Sequence, residues 1–271
     1  ETLTYKEIEP QIGLVTMNRP DRLNAINDRM LDDFNELLRI LDRDDAVRVL
    51  IITGEGRGFC AGADLKEVAL RAQTEAFADP EAFLRLVQEK YSGLISRLRG
   101  IRQPVIAAVN GAAAGGGLTI ALAADIRVCA PEAYFVASFI NIGLSGGEMG
   151  SSFLLPRMVG ISRASDILLT GRKVFADEAE KIGLVSRVAP PEKLLETALS
   201  YARLMTAKTA GGLKFTKRAL EQNLTSSSLE AAMNLENRNQ AIMVFSGEFR
   251  KMIGAFVKLK CVAGCKLLVT G

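Results

Sequence analysis

The sequence predicts a layered α/β core whose strands are joined by crossover helices, followed by a purely helical segment. Three observations predict it. Apolar runs of strand length alternate with amphipathic stretches of helix length. Two of those runs lead into loops of small residues, Phe59-Cys60-Ala61-Gly62-Ala63-Asp64 and Asn110-Gly111-Ala112-Ala113-Ala114-Gly115-Gly116-Gly117. Beyond Pro190-Pro191 the strand patterns stop.

Taken in order, Ile12 to Met17 reads as a strand, and Asn27 to Leu41 carries Met30, Phe34, Leu37, Leu38 and Leu41 at helical spacing. Arg48 to Thr53 is a strand. Pro80 to Leu98 reads as a helix, with Phe83, Leu84, Val87, Tyr91 and Leu94 on one stripe, and Val105 to Val109, Ile126 to Ala130 and Val185 to Val188 supply further strands. Four helices follow, Leu194 to Ala207, Leu213 to Gln222, Ser228 to Val244 and Glu248 to Lys258, with short breaks between them. Amphipathic helices must bury their apolar faces, and these are expected to pack on a partner subunit and help cover a ligand. Cys261 to Gly271 is small and apolar without periodicity and is expected to be poorly ordered.

Composition narrows the function. With 271 residues, 48% hydrophobic and 24% charged, the chain is long enough for a large core with an appendage. A net charge of +3 with acids and bases interspersed does not imply nucleic acid. No run of about eighteen uncharged apolar residues appears and no secretory pattern opens the chain, so no membrane is expected and a cytoplasmic or matrix-like setting is. There is no histidine, which excludes Ser-His-Asp and Cys-His nucleophilic sites and most catalytic zinc centres. Cys60, Cys129, Cys261 and Cys265 lack zinc-ribbon or disulfide-framework spacing and read as reduced, mostly buried thiols.

The two small-residue loops carry the chemistry. Small side chains let a ligand approach the backbone, and N–H groups entering a helix are unpaired donors that suit developing negative charge. Two such loops can hold one oxyanion between them.

The motifs Met17-Asn18-Arg19-Pro20, Leu23-Asn24-Ala25, Phe59 to Leu65, Ala107 to Gly111, Gly115-Gly116-Gly117, Ala124-Asp125-Ile126, Leu169-Thr170-Gly171 and Ile182-Gly183-Leu184-Val185 follow one another in a recognisable order and spacing. From about Tyr5 to Lys258 the chain resembles the enoyl-CoA hydratase/isomerase (crotonase) superfamily. The resemblance implies a spiral of repeated ββα units with a C-terminal helical trimerisation segment, divided as a core with the acyl-CoA site over 1–195, an oligomerisation and lid segment over 196–258 and a disordered tail over 259–271. It implies an acyl-CoA thioester substrate, no cofactor beyond the coenzyme A of that substrate, and a homotrimer or dimer of trimers.

The resemblance also assigns residues. The backbone N–H groups of Ala63 and Gly116 fall where the family binds the thioester oxygen, and prepositioned amides there are worth several kcal/mol to an enolate. Arg22 and Leu23 match the positions along the nucleotide and pantetheine, Asp64 and Leu65 flank the adenine pocket, and Lys217 matches a basic residue that reaches the phosphates. Ala25, Ala61 and Phe139 complete the implied substrate-binding set.

One departure from the family matters more than the agreement. The two positions that carry glutamates in the hydratases hold Thr119 and Phe139, neither of which is an ionised base at neutral pH. The acidic residue left in that neighbourhood is Glu148, ahead of the apolar stretch Phe153 to Val159, and it is expected to sit against Phe139, Leu144, Met149 or Phe153. A lone glutamate beside an oxyanion hole suits the shift of a double bond, one side chain removing and returning a proton. Two alternatives stand beside this reading: hydration, with Glu148 and a water held by Ser145, Ser151, Ser152 or Thr119, and acyl-CoA binding without turnover.

Overall fold

The computed structural model describes residues 1–71 and 73–262. They form two compact units, one of Glu1–Thr206 and one beginning at Ala207.

The first unit opens with a hairpin, β1 (Leu3–Glu9) against β2 (Ile12–Met17), and continues with α1 (Asp28–Leu41). The Asn27 side chain starts α1 by accepting from the Met30 amide. Then come β3 (Val49–Gly54), β4 (Gly58–Cys60) and α2 (Leu65–Arg71). A longer helix comes next in three parts: α3 (Pro80–Phe83), a π-turn over Leu84–Gln88, and α4 (Glu89–Gly100). Beyond it are β5 (Val105–Val109), β6 (Ala112–Ala114), α5 (Gly116–Ala123), β7 (Ile126–Cys129) and β8 (Tyr134–Val136). The unit closes with α6 (Ser151–Val159), α7 (Ile161–Thr170), β9 (Val174–Phe175), α8 (Ala176–Lys181), β10 (Arg187–Val188) and α9 (Pro191–Thr206).

The strands make two sheets, one ordered β1-β2-β3-β5-β7-β10 and one ordered β4-β6-β8-β9. Each of β3, β5 and β7 leads at once into a short strand of the second sheet, and the pairings β3-β5-β7 and β4-β6-β8 are parallel. Successive strand, short strand and helix thus repeat as a spiral, as the resemblance implies. The short strands are only three residues long, too few to show alternation in sequence.

Period-2 geometry sorts the first sheet into two faces. Val15, Met17, Leu50, Ile52, Ala107 and Val109 face the main core with α1, α4 and α5. Leu14, Ile51, Ile106 and Val128 face the other way, onto Leu194, Ala198, Leu199 and Ala202 of α9. The division expected after residue 195 therefore falls within α9, a helix whose apolar face closes the second side of the sheet.

Two expectations need correcting. The helix over Pro80 to Leu98 contains the π-turn, whose extra residue changes the stripe: Phe83 and Leu86 pack on the core and Leu84 is exposed. The tail expected over 259–271 is helical as far as Val262, and its remainder lies outside the described residues.

The second unit holds α10 (Ala210–Asn223), α11 (Leu229–Val244) and α12 (Gly247–Val262). Thr209 and Ser228 cap α10 and α11 by accepting from the Gly212 and Ala231 amides. The Glu248 carboxylate accepts from the Ala210 and Gly211 amides, tying the start of α12 to the start of α10. Leu229, Ile242, Phe245 and Met252 remain exposed on this unit.

Candidate functional site

The two small-residue loops meet. At the first, the amide of Ile26 donates to the Gly62 carbonyl (2.7 Å) and the amide of Asp64 donates to the Ile26 carbonyl (2.8 Å), a parallel bridge between Ile26 and Ala63. In such a bridge the flanking residues face the partner strand, so the N–H of Ala63 itself faces the opposite way. Gly62, at φ +88, brings this backbone against the second loop: a Cβ placed on it would lie 2.8 Å from the Ala114 carbonyl oxygen and 3.2 Å from the Gly116 nitrogen.

At the second loop, the Gly115 amide donates to the Val136 carbonyl (2.9 Å) and the chain enters α5 at Gly116. As the first helical residue, Gly116 has no carbonyl of its own helix to donate to. Neither Ala63 nor Gly116 has an amide acceptor among the described residues. Gly117 is a glycine because the Cys60 carbonyl oxygen stands 2.0 Å from where its Cβ would be. Every residue of α5 is buried, which leaves its N-terminal dipole little screened by water. At the far end, buried Arg127 donates to the carbonyls of Ala124 (2.6 Å) and Leu184 (2.8 Å), a cation where the dipole is negative. Burial draws its guanidinium down to about 10, so it stays charged at neutral pH.

Thr119 is buried and its hydroxyl donates to the Gly116 carbonyl (2.8 Å), with the Met149 sulfur 3.7 Å away. The Phe139 ring covers Gly115, 3.4 Å from the place of a Cβ there. Both side chains pack around the Gly115–Gly117 loop, and neither is a carboxylate.

Glu148 is half-buried in the loop before α6, and Met149 beside it is buried at φ +47. The Met149 sulfur lies 3.5 Å from where a Cβ on Gly116 would stand, which brings this loop to the second amide. The Glu148 amide donates to the Ser151 hydroxyl (2.9 Å), which donates to the Gly146 carbonyl (3.1 Å). Gln88, at the end of the π-turn, donates its side-chain amide to Glu148 Oε1. Of the apolar neighbours expected for Glu148, Phe139 and Met149 are buried, whereas Leu144 and Phe153 are exposed to solvent.

Apart from Phe139, the positions expected to bind substrate fall into three groups. Leu23, Ala25, Ala61, Asp64 and Leu65 form one ridge beside Ala63, because the Ala61 amide donates to the Leu23 carbonyl (3.0 Å) and Ile26 pairs with Ala63. Arg22 stands exposed at the end of a single turn, Pro20–Arg22, on the edge of that ridge. Lys217 belongs to the second unit, where it is buried on α10.

Asp64 has a task the sequence did not disclose. Its carboxylate pairs with Arg19 at 2.9 Å and accepts from the amides of Lys66 and Glu67 at the start of α2. Burial alone would raise its pKa, but the bonds from Arg19, Glu67 and Lys66 outweigh it and hold the carboxyl below the usual carboxylate range. Arg19 also donates to the Ala25 carbonyl, so this pair braces the ridge.

Cys60 and Cys129 are buried, and burial pushes both thiols up to about 12, which removes them as nucleophiles. The expectation for Cys261 and Cys265 lies outside the described side chains. No cluster of His, Cys, Asp and Glu fit to hold a metal occurs among the described residues. Sequence reasoning missed Gln88 and Ile26; Met149 was expected beside Glu148, but its positive φ becomes visible only in the backbone.

Comparison with known proteins identifies the family. The family model described as enoyl-CoA hydratase/isomerase matches residues 7–261. A probable enoyl-CoA hydratase of Mycobacterium bovis is 44% identical over 247 residues, covering 91% of this chain and 86% of the relative. The 1,2-epoxyphenylacetyl-CoA isomerase of Escherichia coli is 37% identical over 250 residues, covering 92% and 93%. Among solved structures, a monofunctional enoyl CoA isomerase from M. smegmatis superposes with a TM-score of 0.73 at 43% identity, covering 86% of this chain and 98% of its own. The chain belongs to the enoyl-CoA hydratase/isomerase family.

Proposed function

We propose that this protein shifts a double bond within an acyl-CoA thioester. The thioester carbonyl lies between the amides of Ala63 and Gly116. Glu148 removes a proton from the carbon next to it, the dienolate collects its charge on the oxygen held by the two amides, and Glu148 returns the proton two carbons further on. Electrostatic stabilisation of this kind supplies several kcal/mol in a water-poor site, and a positioned acid/base adds a factor of roughly 10²–10⁴.

The observation that carries the reading is that one carboxylate, Glu148, stands in the loop reaching Gly116, while Thr119 and Phe139 are packed as neutral side chains. Hydration needs a water activated on one carbon and a proton delivered to the next, a task that suits two carboxylates. The hydroxyls of Thr119 and Ser151 already donate to the backbone carbonyls of Gly116 and Gly146. The names of the relatives include both activities.

In this reading Leu23, Ala25, Ala61 and Leu65 line the thioester's path, Arg22 meets the nucleotide, Asp64 holds the ridge through Arg19, and Phe139 walls the acyl end. The only coenzyme is the coenzyme A of the substrate. The exposed apolar face of the second unit is covered by copies of the same chain in a homotrimer, and the enzyme works in the cytoplasm. No described helix is long and apolar enough to cross a membrane.

The test is Glu148→Gln, which keeps shape and loses the shuttle. Conversion of 3-hexenoyl-CoA to the 2-enoyl isomer should fall about a hundredfold or more while saturated acyl-CoA still binds. Undiminished isomerisation by the variant refutes the assignment. Efficient hydration of crotonyl-CoA with no isomerisation by the wild type selects the hydratase reading, and binding without turnover of either thioester selects a binding protein.

A further inference from the structure

We propose that Gln88 is the positioning residue for Glu148: its side-chain amide binds Oε1 of the carboxylate and leaves Oε2 as the oxygen that carries the proton. The inference rests on the reading of Glu148 as the acid/base.

The argument starts from the helix. Val87, Tyr91, Leu94 and Leu98 form the buried stripe of the Pro80–Gly100 helix, and Gln88 stands one residue round from Val87 on its edge. Residues seven apart share a helix face. Seven residues beyond Gln88 is Ile95, and a Cβ on Gly150 would lie 3.9 Å from its Cγ2. The same edge therefore runs along the loop at both Glu148 and Gly150. Between them, the Tyr91 hydroxyl donates to the Ile26 carbonyl (3.2 Å), fixing the helix to the residue that pairs with Ala63. One rigid element thus connects the base to the oxyanion loop.

The π-turn ends at Gln88. An inserted residue rotates the N-terminal part of a helix relative to its C-terminal part, and such turns recur at functional sites. Here the turn lets the Phe83 side of the helix and the Tyr91 side both reach the core while a polar amide sits on the edge facing Glu148.

A carboxylate on a loop has two equivalent oxygens and several rotamers, and only some aim at the α-carbon of the thioester. A donor on one oxygen selects a rotamer and leaves the second oxygen free. Small misplacement of a reacting group costs up to about a hundredfold. The local backbone bonds of Glu148, through Ser151 and Gly146, fix the loop but touch neither carboxylate oxygen.

The experiment compares wild type, Gln88→Leu, Gln88→Met, Glu148→Gln and the Gln88→Leu/Glu148→Gln double variant. It measures turnover of 3-hexenoyl-CoA and exchange of the α-protons of butanoyl-CoA into D2O. Gln88→Met keeps an unbranched side chain of similar length and guards against misfolding of the leucine variant. Both Gln88 variants should lose about tenfold to a hundredfold in kcat with KM changed less than about threefold. In the Glu148→Gln background the leucine substitution should add less than about twofold, because its effect passes through the carboxylate.

Gln88 variants that turn over like wild type, while Glu148→Gln is inactive, overturn this inference alone. So does a loss that multiplies with that of Glu148→Gln, or one that lies wholly in KM. Wild-type turnover by Glu148→Gln removes the reading of Glu148 and this inference with it.

Discussion

Gly62→Ala tests the convergence of the two loops more sharply than any change to a side chain. The residue sits at φ +88, where alanine is disfavoured by roughly 1–2 kcal/mol. Its new methyl would stand 2.8 Å from the Ala114 carbonyl oxygen and 3.2 Å from the Gly116 nitrogen. Both are backbone atoms rather than ends of flexible side chains, so relief requires the second loop to move, at about 1–3 kcal/mol for overpacking. Together the substitution should destabilise the fold by about 2–5 kcal/mol. The catalytic effect should be larger than that strain suggests. In the proposed mechanism the atom being pushed carries one of the two oxyanion donors, and loss of one such donor costs roughly 10²–10³ in kcat. The assays are urea unfolding, kcat on 3-hexenoyl-CoA and calorimetric binding of butanoyl-CoA. Gly93→Ala is the control: nothing lies within 4 Å of its Cβ position on α4, and alanine there should stabilise by about 0.5–1 kcal/mol without touching kcat. A folded Gly62→Ala enzyme with kcat within about threefold of wild type would refute the placement of the thioester oxygen between these loops.

The same geometry sets other expectations. The Asp64 carboxyl is held below the usual range, so the stability it contributes is complete above about pH 4 and disappears as the pH falls further. Asp64→Asn should therefore lose stability at pH 7, and its gap to wild type should narrow as the pH falls below about 4; a gap that does not change with pH contradicts this. With Cys60 and Cys129 raised to about 12, peptides containing them should resist iodoacetamide at pH 8 in the native protein and react in urea. Native labelling at the rate of a free thiol would show that these side chains are accessible. Phe245, 79% exposed beside α11, and its apolar neighbours should lie at the subunit contact, so Phe245→Glu should lower the mass seen in sedimentation. A wild-type chain that sediments as a monomer at micromolar concentration sinks the trimer.

Much of the fold could be read from the chain because its long elements advertise their period. The stripe of α1 and the apolar runs of β2, β3, β5 and β7 appear in the structure where they were expected, since a helix or strand of that length needs a repeating apolar side to be buried. The second sheet could not be read this way, its strands being three residues or fewer. Nor could α9 be assigned: amphipathicity tells that a helix buries one side, not which surface receives it. Its face meets Leu14, Ile51 and Ile106, residues distant in sequence.

The site divides along the same line. Sequence by itself determined the chemical inventory: no histidine, two loops of small residues that leave amides open, and neutral side chains at Thr119 and Phe139, because residue type alone decides which groups can carry charge or block a backbone. Tertiary structure decided the arrangement. Gly62 against Gly116, Asp64 on Arg19, and Gln88 on Glu148 join residues 54, 45 and 60 positions apart. No local propensity encodes such contacts. They exist because the spiral closes its turns on one another and carries separate loops to a common edge.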